Sequence, residues 1–192
     1  MLATRLATLA RRRAIAVAAG GLFAAGGLVA AGVAVAGAMP ARVAGANDAP
    51  VIGDVAPPIA AETLDGAALP AGAIAGGVTV VDFFATWCRP CHRALADLTA
   101  IRGSLGPRVR ILLIDVEEDS ARVRRFLATT PLPDGAQVVL DRSGAVARRW
   151  GQDRFPTTFL VDDKSVIRHI NRGWGAGYRD RLSRWLRPML GQ

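Results

Sequence analysis

The sequence is poor in the side chains that bind metals through sulfur or nitrogen. Its 192 residues include only two cysteines, Cys88 and Cys91, and two histidines, His92 and His169. A tetrahedral zinc site usually takes four ligands. The two histidines lie far apart in the chain, so the sequence argues against a zinc site. A lone histidine is more often a surface or structural residue than a ligand, and we expect this of both.

The sequence also lacks a block of basic residues. Its formal net charge is +8, but residues 39–192 contain 20 basic and 16 acidic side chains, so the arginines of residues 1–38 supply half of the excess. The other arginines are dispersed, apart from short pairs such as Arg148-Arg149. A protein that binds nucleic acid concentrates positive charge on one face or in one segment. We therefore predict no nucleic-acid partner.

Residues 1–38 have the composition of an export signal or a membrane anchor. Arg5 and Arg11-Arg12-Arg13 precede an uncharged run from Ala14 to Ala38. That run exceeds the ~7–15 apolar residues of a signal peptide and reaches the ~20 that span a bilayer. Small-residue triplets near its end would suit a signal peptidase, and the arginine pair would suit twin-arginine export, so both stay open. We expect an inner-membrane anchor with the rest of the chain on the periplasmic side.

Residues 39–54 are predicted to be a linker, and residues 55–192 to be one folded domain. The linker is rich in alanine, proline and glycine and has neither helical nor strand periodicity. The domain begins with a predicted hairpin, in which Ile59–Thr63 and Ala67–Leu69 flank an Asp65-Gly66 turn.

The rest of the domain alternates helices with strands. Two apolar runs, Val78–Phe84 and Val109–Val116, predict strands that are buried on both faces of a parallel sheet. Caps, turns and periodicity predict the remaining elements: a helix from the cysteines to a breaker at Gly103–Pro107, a helix from Asp119-Ser120 to before Pro131, a strand at Gln137–Leu140, a brief helix to Trp150, a hairpin of Thr157–Val161 and Ser165–Ile170, and a last helix, Tyr178–Leu190, with Leu182, Trp185 and Leu186 inward. This order predicts an α/β fold with a mixed central β-sheet flanked by helices.

The cysteines form a CxxC motif, Trp87-Cys88-Arg89-Pro90-Cys91, just after the first buried strand. A helix beginning near Pro90 would hold the two thiols in its first turn, close enough for a disulfide. Proline is well tolerated there, and the positive end of the helix favours a thiolate at Cys88. A thiolate is the nucleophile of disulfide exchange. The loop is too short for a useful structural disulfide, whose stabilisation grows with loop length.

The chain resembles the thioredoxin superfamily, and within it the membrane-anchored TlpA/ResA/DsbE-like thiol–disulfide oxidoreductases. The resemblance lies in Val81–Cys91, in Phe155–Asp162 and in the hairpin before the domain core. It implies a thioredoxin-like fold with an N-terminal β-hairpin extension, and no cofactor other than a redox-active Cys88–Cys91 disulfide. It also implies exchange with exported proteins in the reducing direction, apocytochrome c among them, with electrons from a membrane thiol donor. We expect a monomer.

The resemblance assigns roles to individual residues. Cys88 becomes the attacking thiol, Cys91 the resolving thiol, and Pro156 a cis-proline that shapes the groove for an extended polypeptide. Without the resemblance, Pro156 would be an ordinary trans proline at the start of an edge strand. Arg89 and Pro90 are expected to tune the redox chemistry, since the charge of Arg89 would lower the pKa of the thiol, although Arg89 could instead serve solubility. The predicted substrate groove consists of Trp87, Phe155, Pro156 and Thr157.

Asp82 lies six residues before Cys88 in an otherwise apolar strand. A buried carboxyl group has a raised pKa, which would suit proton transfer to or from Cys91, and the position matches the buried aspartate of thioredoxins. Many anchored relatives instead carry asparagine there and a glutamate after the second cysteine, where this chain has Ala94. The alternative is an aspartate at a strand end that reaches water.

Two other functions stay open at this stage. A copper-binding assembly factor of the Sco-like type would use both cysteines and one histidine on the same fold, although such proteins usually space their cysteines CxxxC. A binding or scaffolding role without turnover is the other.

Overall fold

The computed structural model describes residues 41–45, 48–70 and 72–192. The predicted signal or anchor and residues 39, 40, 46 and 47 of the predicted linker lie outside the described residues. Within the described part, no helix has the length and apolar character needed to cross a bilayer.

The described chain is built around one mixed sheet. Its elements, in chain order, are β1 (Arg42–Val43), β2 (Asp54–Val55), β3 (Glu62–Thr63), β4 (Val78–Phe84), α1 (Arg89–Leu105), β5 (Val109–Val116), α2 (Ser120–Leu127), β6 (Gln137–Asp141), α3 (Ala145–Arg149), β7 (Thr157–Val161), β8 (Ile167–Arg172) and α4 (Tyr178–Met189). The sheet order is β3-β6-β5-β4-β7-β8. The three central strands β6, β5 and β4 are parallel, and the outer pairs are antiparallel. The predicted mixed sheet with flanking helices is confirmed.

Both faces of the sheet are buried, because the central strands are apolar on both sides. Val80 and Phe84 of β4 pack in a cluster with the inner sides of α1 and α4. Val81 and Phe83 point to the opposite face and pack in a second cluster with Trp150, next to α3. Burial of this apolar surface, at about 25 cal/mol per Å², fixes β4 and α1 relative to each other. The CxxC motif lies in the connection between them.

Helix α1 is longer than predicted. The prediction that the helix is broken from Gly103 onwards is wrong, because the helix continues through Gly103 to Leu105. A single glycine costs a helix only about 1 kcal/mol, and Ile101 and Leu105 on either side are buried. The helix ends at Gly106, whose φ of 68° is a conformation that glycine adopts without strain.

The C-terminal elements are confirmed, except that β8 spans Ile167–Arg172 and not Ser165–Ile170. Strand β8 begins at Ile167 and not at Ser165, because the N–H of Ser165 closes a turn on the carbonyl of Asp162 at 3.0 Å. In α4, Leu182 and Leu186 are buried as predicted, and the half-buried Trp185 packs against the same core cluster. Its indole also stacks on His169 of β8, with ring centroids 4.6 Å apart.

The segment before β4 contains the predicted hairpin. The N–H of Thr63 donates to the carbonyl of Ala67 at 2.7 Å, and Glu62 pairs with Ala68. Gly66 turns the chain with a φ of 84°. Beyond the prediction, β3 also joins the edge of the main sheet through β6.

Part of the predicted linker forms a short strand. β1 pairs with β2 in parallel, and the Arg42 guanidinium donates to the Asp54 carboxylate at 3.0 and 3.1 Å. These bonds lower the pKa of Asp54. Val55 pairs with Val166, so the segment lies against the turn between β7 and β8.

Candidate functional site

The two cysteines lie at the beginning of α1 and are joined in a disulfide. Cys88 is the N-cap residue of the helix, and Cys91 lies in its first turn, with 5.2 Å between their Cα atoms. The N–H of Cys91 points to the sulfur of Cys88, with a nitrogen–sulfur distance of 3.2 Å. Cys91 is completely buried, whereas Cys88 retains 4% of its exposure. Both cysteines are thus buried, and Cys88 is the one that retains any contact with solvent.

The local sequence explains this placement. A turn after β4, closed by the N–H of Cys88 on the carbonyl of Ala85 at 3.1 Å, directs the chain into the helix. Pro90 occupies the first turn, where its missing N–H removes no helical hydrogen bond. The first turn contains no acidic residue, so the unpaired N–H groups and the positive helix end act on Cys88 without an opposing charge. Arg89, between the cysteines, is exposed.

Asp82 lies beneath the disulfide helix and has no solvent exposure. The Thr158 hydroxyl donates to its Oδ2 at 2.6 Å, and the Tyr178 hydroxyl lies 2.8 Å from the Thr158 oxygen. Its Oδ1 has no hydrogen-bond partner among the described residues. Burial raises the pKa of Asp82 to about 7, although the bonds from Thr158 and Tyr178 act to lower it. The group can therefore gain or lose a proton at neutral pH.

The neighbours of Asp82 connect it to the cysteines. Val80 and Phe84 flank it on the same face of β4, and both belong to the buried cluster that contains Cys88 and Cys91. Burial of Asp82 agrees with the sequence prediction. Ala94, where many anchored relatives carry glutamate, is fully buried in α1.

A second acidic residue, Glu118, holds the loop before Cys88. Its carboxylate accepts hydrogen bonds from the N–H of Thr86 at 2.5 Å and from the Thr86 hydroxyl at 2.7 Å. The Arg122 guanidinium pairs with it at 2.8 Å. His92 Nε2 lies 2.9 Å from the Thr86 carbonyl oxygen. Thr86 is thus bonded through its N–H, hydroxyl and carbonyl groups, two residues before Cys88.

Asp115 is the acidic partner of Glu118. It is fully buried at the end of β5, beside Phe84 in the sheet register. Neither of its carboxyl oxygens has a hydrogen-bond partner among the described residues. Burial, and then the neighbouring Glu118, raise the pKa of Asp115 to about 9. At neutral pH Asp115 is therefore protonated.

Neither of these acids was predicted from the sequence to be part of the site. Asp115 lies inside the predicted strand Val109–Val116, and Glu118 lies in the acidic run after it, where Glu117 and Asp119 are exposed. The available signal was position, because that strand pairs in parallel with β4. The carboxyl ends of parallel strands share one edge of the sheet, and here that edge also carries the CxxC motif.

Aromatic side chains border the disulfide on the side of β7. Trp87 is 61% exposed and meets Phe155 edge to face, with ring centroids 5.4 Å apart. The Phe155–Pro156 peptide bond is cis, as the resemblance implied. Thr157 is buried, and its hydroxyl donates to the Arg154 carbonyl at 2.7 Å. The structure thus brings Trp87 and Phe155 into contact, while Thr157 offers no exposed side chain.

The two histidines occupy different surroundings. His92 is exposed in α1, where its ring lies 4.8 Å from that of Phe126. His169 is half-buried on β8 against Trp185. Among the described residues, no three side chains of the histidine, cysteine, aspartate or glutamate type come together as a metal site would require.

Comparison with known proteins places this geometry in a family. The Redoxin family model matches residues 52–177. The thiol-disulfide oxidoreductase ResA of Geobacillus thermodenitrificans is 30% identical over 125 residues, which cover 64% of this chain and 70% of the relative. ResA of Bacillus thuringiensis is 26% identical over 140 residues, which cover 72% and 78%.

A solved structure supports the fold independently. A thioredoxin-family thiol:disulfide interchange protein from Chlorobium tepidum superposes with a TM-score of 0.59, at 22% identity, over 75% of this chain and 99% of the other. At that identity the likeness shows the fold, which is thioredoxin-like. The family match and the ResA relatives also identify the activity class. The chain belongs to the Redoxin family and, with these relatives, to its thiol–disulfide oxidoreductases.

Proposed function

We propose that this oxidoreductase reduces disulfides in exported proteins, with Cys88 as the attacking thiol and Cys91 as the resolving thiol. The observation that carries the proposal is the asymmetry of the pair: the sulfur of Cys88 caps the helix and its residue retains 4% exposure, while Cys91 is fully buried. The helix end favours the thiolate at Cys88. We therefore expect a client sulfur to react with Cys88 and not with Cys91.

The exchange transfers two electrons in two steps. In the reduced protein, the Cys88 thiolate attacks one sulfur of a client disulfide, forms a mixed disulfide and releases the other client sulfur as a thiolate. Asp82 takes the proton of the Cys91 thiol, and the resulting thiolate attacks Cys88. The Cys88–Cys91 disulfide then forms, and the client leaves with both sulfurs reduced. The proton passes from Asp82 to solvent or to the departing client thiolate.

The groove proposed for the client lies between the disulfide and the start of β7. The exposed Trp87 and the half-buried Phe155 supply an apolar wall, and Pro156 and Thr157 provide backbone along an extended peptide. Arg89 and Pro90 act on the disulfide itself, Arg89 through its charge and Pro90 through the shape of the first helical turn.

The proposed location is the periplasmic side of the inner membrane, with residues 1–38 as anchor. A reducing protein in that compartment needs a continuous supply of electrons, because the surroundings oxidise its dithiol. A membrane thiol protein would supply them. Apocytochrome c, whose haem-binding cysteines must be reduced, is the client that we propose, and the protein would act as a monomer.

The reduction potential of the Cys88–Cys91 couple tests the direction. We expect the full-length protein, equilibrated in defined mixtures of reduced and oxidised glutathione, to give a value near the ~−270 mV of thioredoxin. A value near the ~−120 mV of DsbA would contradict a reducing role. The matched activity measurement is reduction of a disulfide-containing peptide by the reduced protein, which Cys88→Ser should abolish. Membrane fractionation of cells that produce the full chain, with and without residues 1–38, tests the anchor.

A further inference from the structure

Two arginines beside Cys88 are not neutralised. Arg89 and Arg93 lie exposed in the first two turns of α1. Neither forms an ion pair with any carboxylate of the described residues, although eight other arginine–carboxylate pairs are found there. An exposed arginine without a partner is common on protein surfaces. Two of them flanking a reactive sulfur create a local positive field.

Three carboxylates do not offset that field, because other groups already bind them, whereas the exposed Asp180, which lines a surface pocket with Asp97 and Trp174, has no ion pair among the described residues. Asp97 accepts from Arg179 at 2.8 and 2.9 Å and from the Trp174 indole at 2.9 Å. On the opposite side, Asp153 pairs with Arg172 at 2.7 Å. Glu118 is likewise paired, with Arg122 at 2.8 Å.

The guanidinium of Arg93 is held in position by an aromatic ring. It lies 5.0 Å from the centre of the Trp174 ring, and the bond to Asp97 fixes that indole in turn. The preceding residue, Gly173, donates its N–H to the Pro156 carbonyl at 2.7 Å. Trp174 therefore belongs to the loop that adjoins the proposed client groove. A stacked guanidinium keeps its donors free for a carboxylate and loses little freedom on binding one.

We propose that the site selects clients with acidic residues next to their reactive cysteine, and that Arg89 and Arg93 bind those carboxylates. The inference rests on the proposed function and names its substrate class: a disulfide in an acidic peptide segment. Trp87 and Phe155 give the groove an apolar side, and the arginines give it a basic side. The exchange chemistry is the one described above; the arginines raise the rate at which the right client is captured.

The test compares three disulfide-bridged peptides that differ only in their flanking residues, which are glutamate, glutamine or lysine. Reduction by the fully reduced full-length protein in mild detergent is followed by mass spectrometry of acid-quenched samples. We expect the glutamate peptide to react about tenfold faster than the lysine peptide at low salt, with a smaller ratio at high salt. Arg93→Gln and Arg89→Gln should each lower the ratio, and the double variant should bring it near one.

Arg108→Gln is the matched control. It removes the same charge from an exposed residue just before β5, at the opposite edge of the sheet from Cys88. We expect it to leave the ratio unchanged. The ratio is the decisive quantity, because loss of Arg89 also affects the thiolate and would slow all three peptides together.

Three results would overturn the inference. They are equal rates for the three peptides in the wild-type protein, an unchanged ratio in the double variant, and a fall in the ratio for Arg108→Gln as large as for Arg93→Gln. Failure of the proposed function looks different, because the wild-type protein would then reduce none of the peptides.

Discussion

At the scale of single residues, Asp82 makes folding dependent on pH. Its pKa is about 7 in the folded protein and 3.8 in its ordinary state. Because the folded pKa is the higher one, folding favours the protonated form. The contribution of Asp82 to stability should therefore fall as the pH rises from about 4 to about 7 and should then level off, while that of Asp115, whose pKa is about 9, falls further.

Replacement of Asp82 by asparagine removes the contribution of Asp82 and leaves that of Asp115. The difference between the two pKa values corresponds to a free energy of about 4 kcal/mol. Asp82→Asn should therefore be more stable than the wild type at pH 8 by up to about that amount. Urea unfolding at pH 5 and pH 8 measures the difference. Asp65→Asn, in the exposed hairpin turn, is the control and should change stability little. A variant less stable than the wild type at pH 8 would contradict the assigned burial cost.

Asp82 should also determine how the exchange rate varies with pH. If it accepts the proton of Cys91, peptide reduction should rise with pH through about 7, and Asp82→Asn should lose that rise together with about 100-fold in rate. Alkylation of Cys88 by iodoacetamide provides the control, since it reports the titration of the attacking thiol alone. An unaltered rate profile in the variant would exclude Asp82 from proton transfer.

Glu118 should stabilise the loop that precedes Cys88. Its carboxylate is 5% exposed and binds Thr86 and Arg122, and hydrogen bonds to charged groups contribute about 1.5–3 kcal/mol each. Glu118→Gln should lower the free energy of unfolding by about that amount and speed amide exchange at Thr86. Glu117→Gln is a matched control at the preceding residue. The Glu117 side chain is 64% exposed, so its replacement should change the free energy of unfolding by less than about 0.5 kcal/mol. Equal effects of the two variants would contradict the role given to Glu118.

At the scale of elements, α1 links the core to the chemistry. Leu98 is fully buried on its inner side, in the same cluster as Cys88 and Cys91. Leu98→Ala should reduce the free energy of unfolding by about 2–5 kcal/mol, since a buried cavity adds to the lost transfer energy. Ile52→Ala removes a similar volume from a side chain that is 59% exposed and should have little effect. A loss below about 1 kcal/mol for Leu98→Ala, measured by urea unfolding, would show that α1 is not anchored through this residue.

The sequence predicted those elements best whose signal is local. Val78–Phe84 and Val109–Val116 are continuous apolar runs because both faces of the sheet are covered, and both were predicted with their observed bounds. The end of α1 was misplaced, because burial of Leu105 outweighs the helix-breaking tendency of Gly103. The strand β1 was missed, because two residues that pair with another two-residue strand leave no periodic pattern.

At the scale of the whole molecule, the disulfide and its acidic neighbours gather at one edge of the sheet. The CxxC motif and Asp82 were predictable, since one motif and one acid in an apolar strand stand out in the sequence. Asp115 and Glu118 were not predicted. Asp115 lies near the end of a predicted strand, where an aspartate can reach water, and Glu118 lies in a charged loop, where a buried acid and a solvated acid look the same. The partners of Asp82, Thr158 and Tyr178, lie 76 and 96 residues away in the chain, and only the fold brings them together.

The assignment of Cys88 as attacking thiol and Cys91 as resolving thiol is tested most directly by trapping the mixed disulfide. Reduced full-length Cys91→Ser, mixed with an excess of a disulfide-containing peptide, should gain the mass of one attached peptide, and digestion should locate it on Cys88. Cys88→Ser should gain none, because Cys91 is fully buried. An adduct on Cys91 in the Cys88→Ser protein, or no adduct on Cys88 in the Cys91→Ser protein, would contradict the proposed exchange.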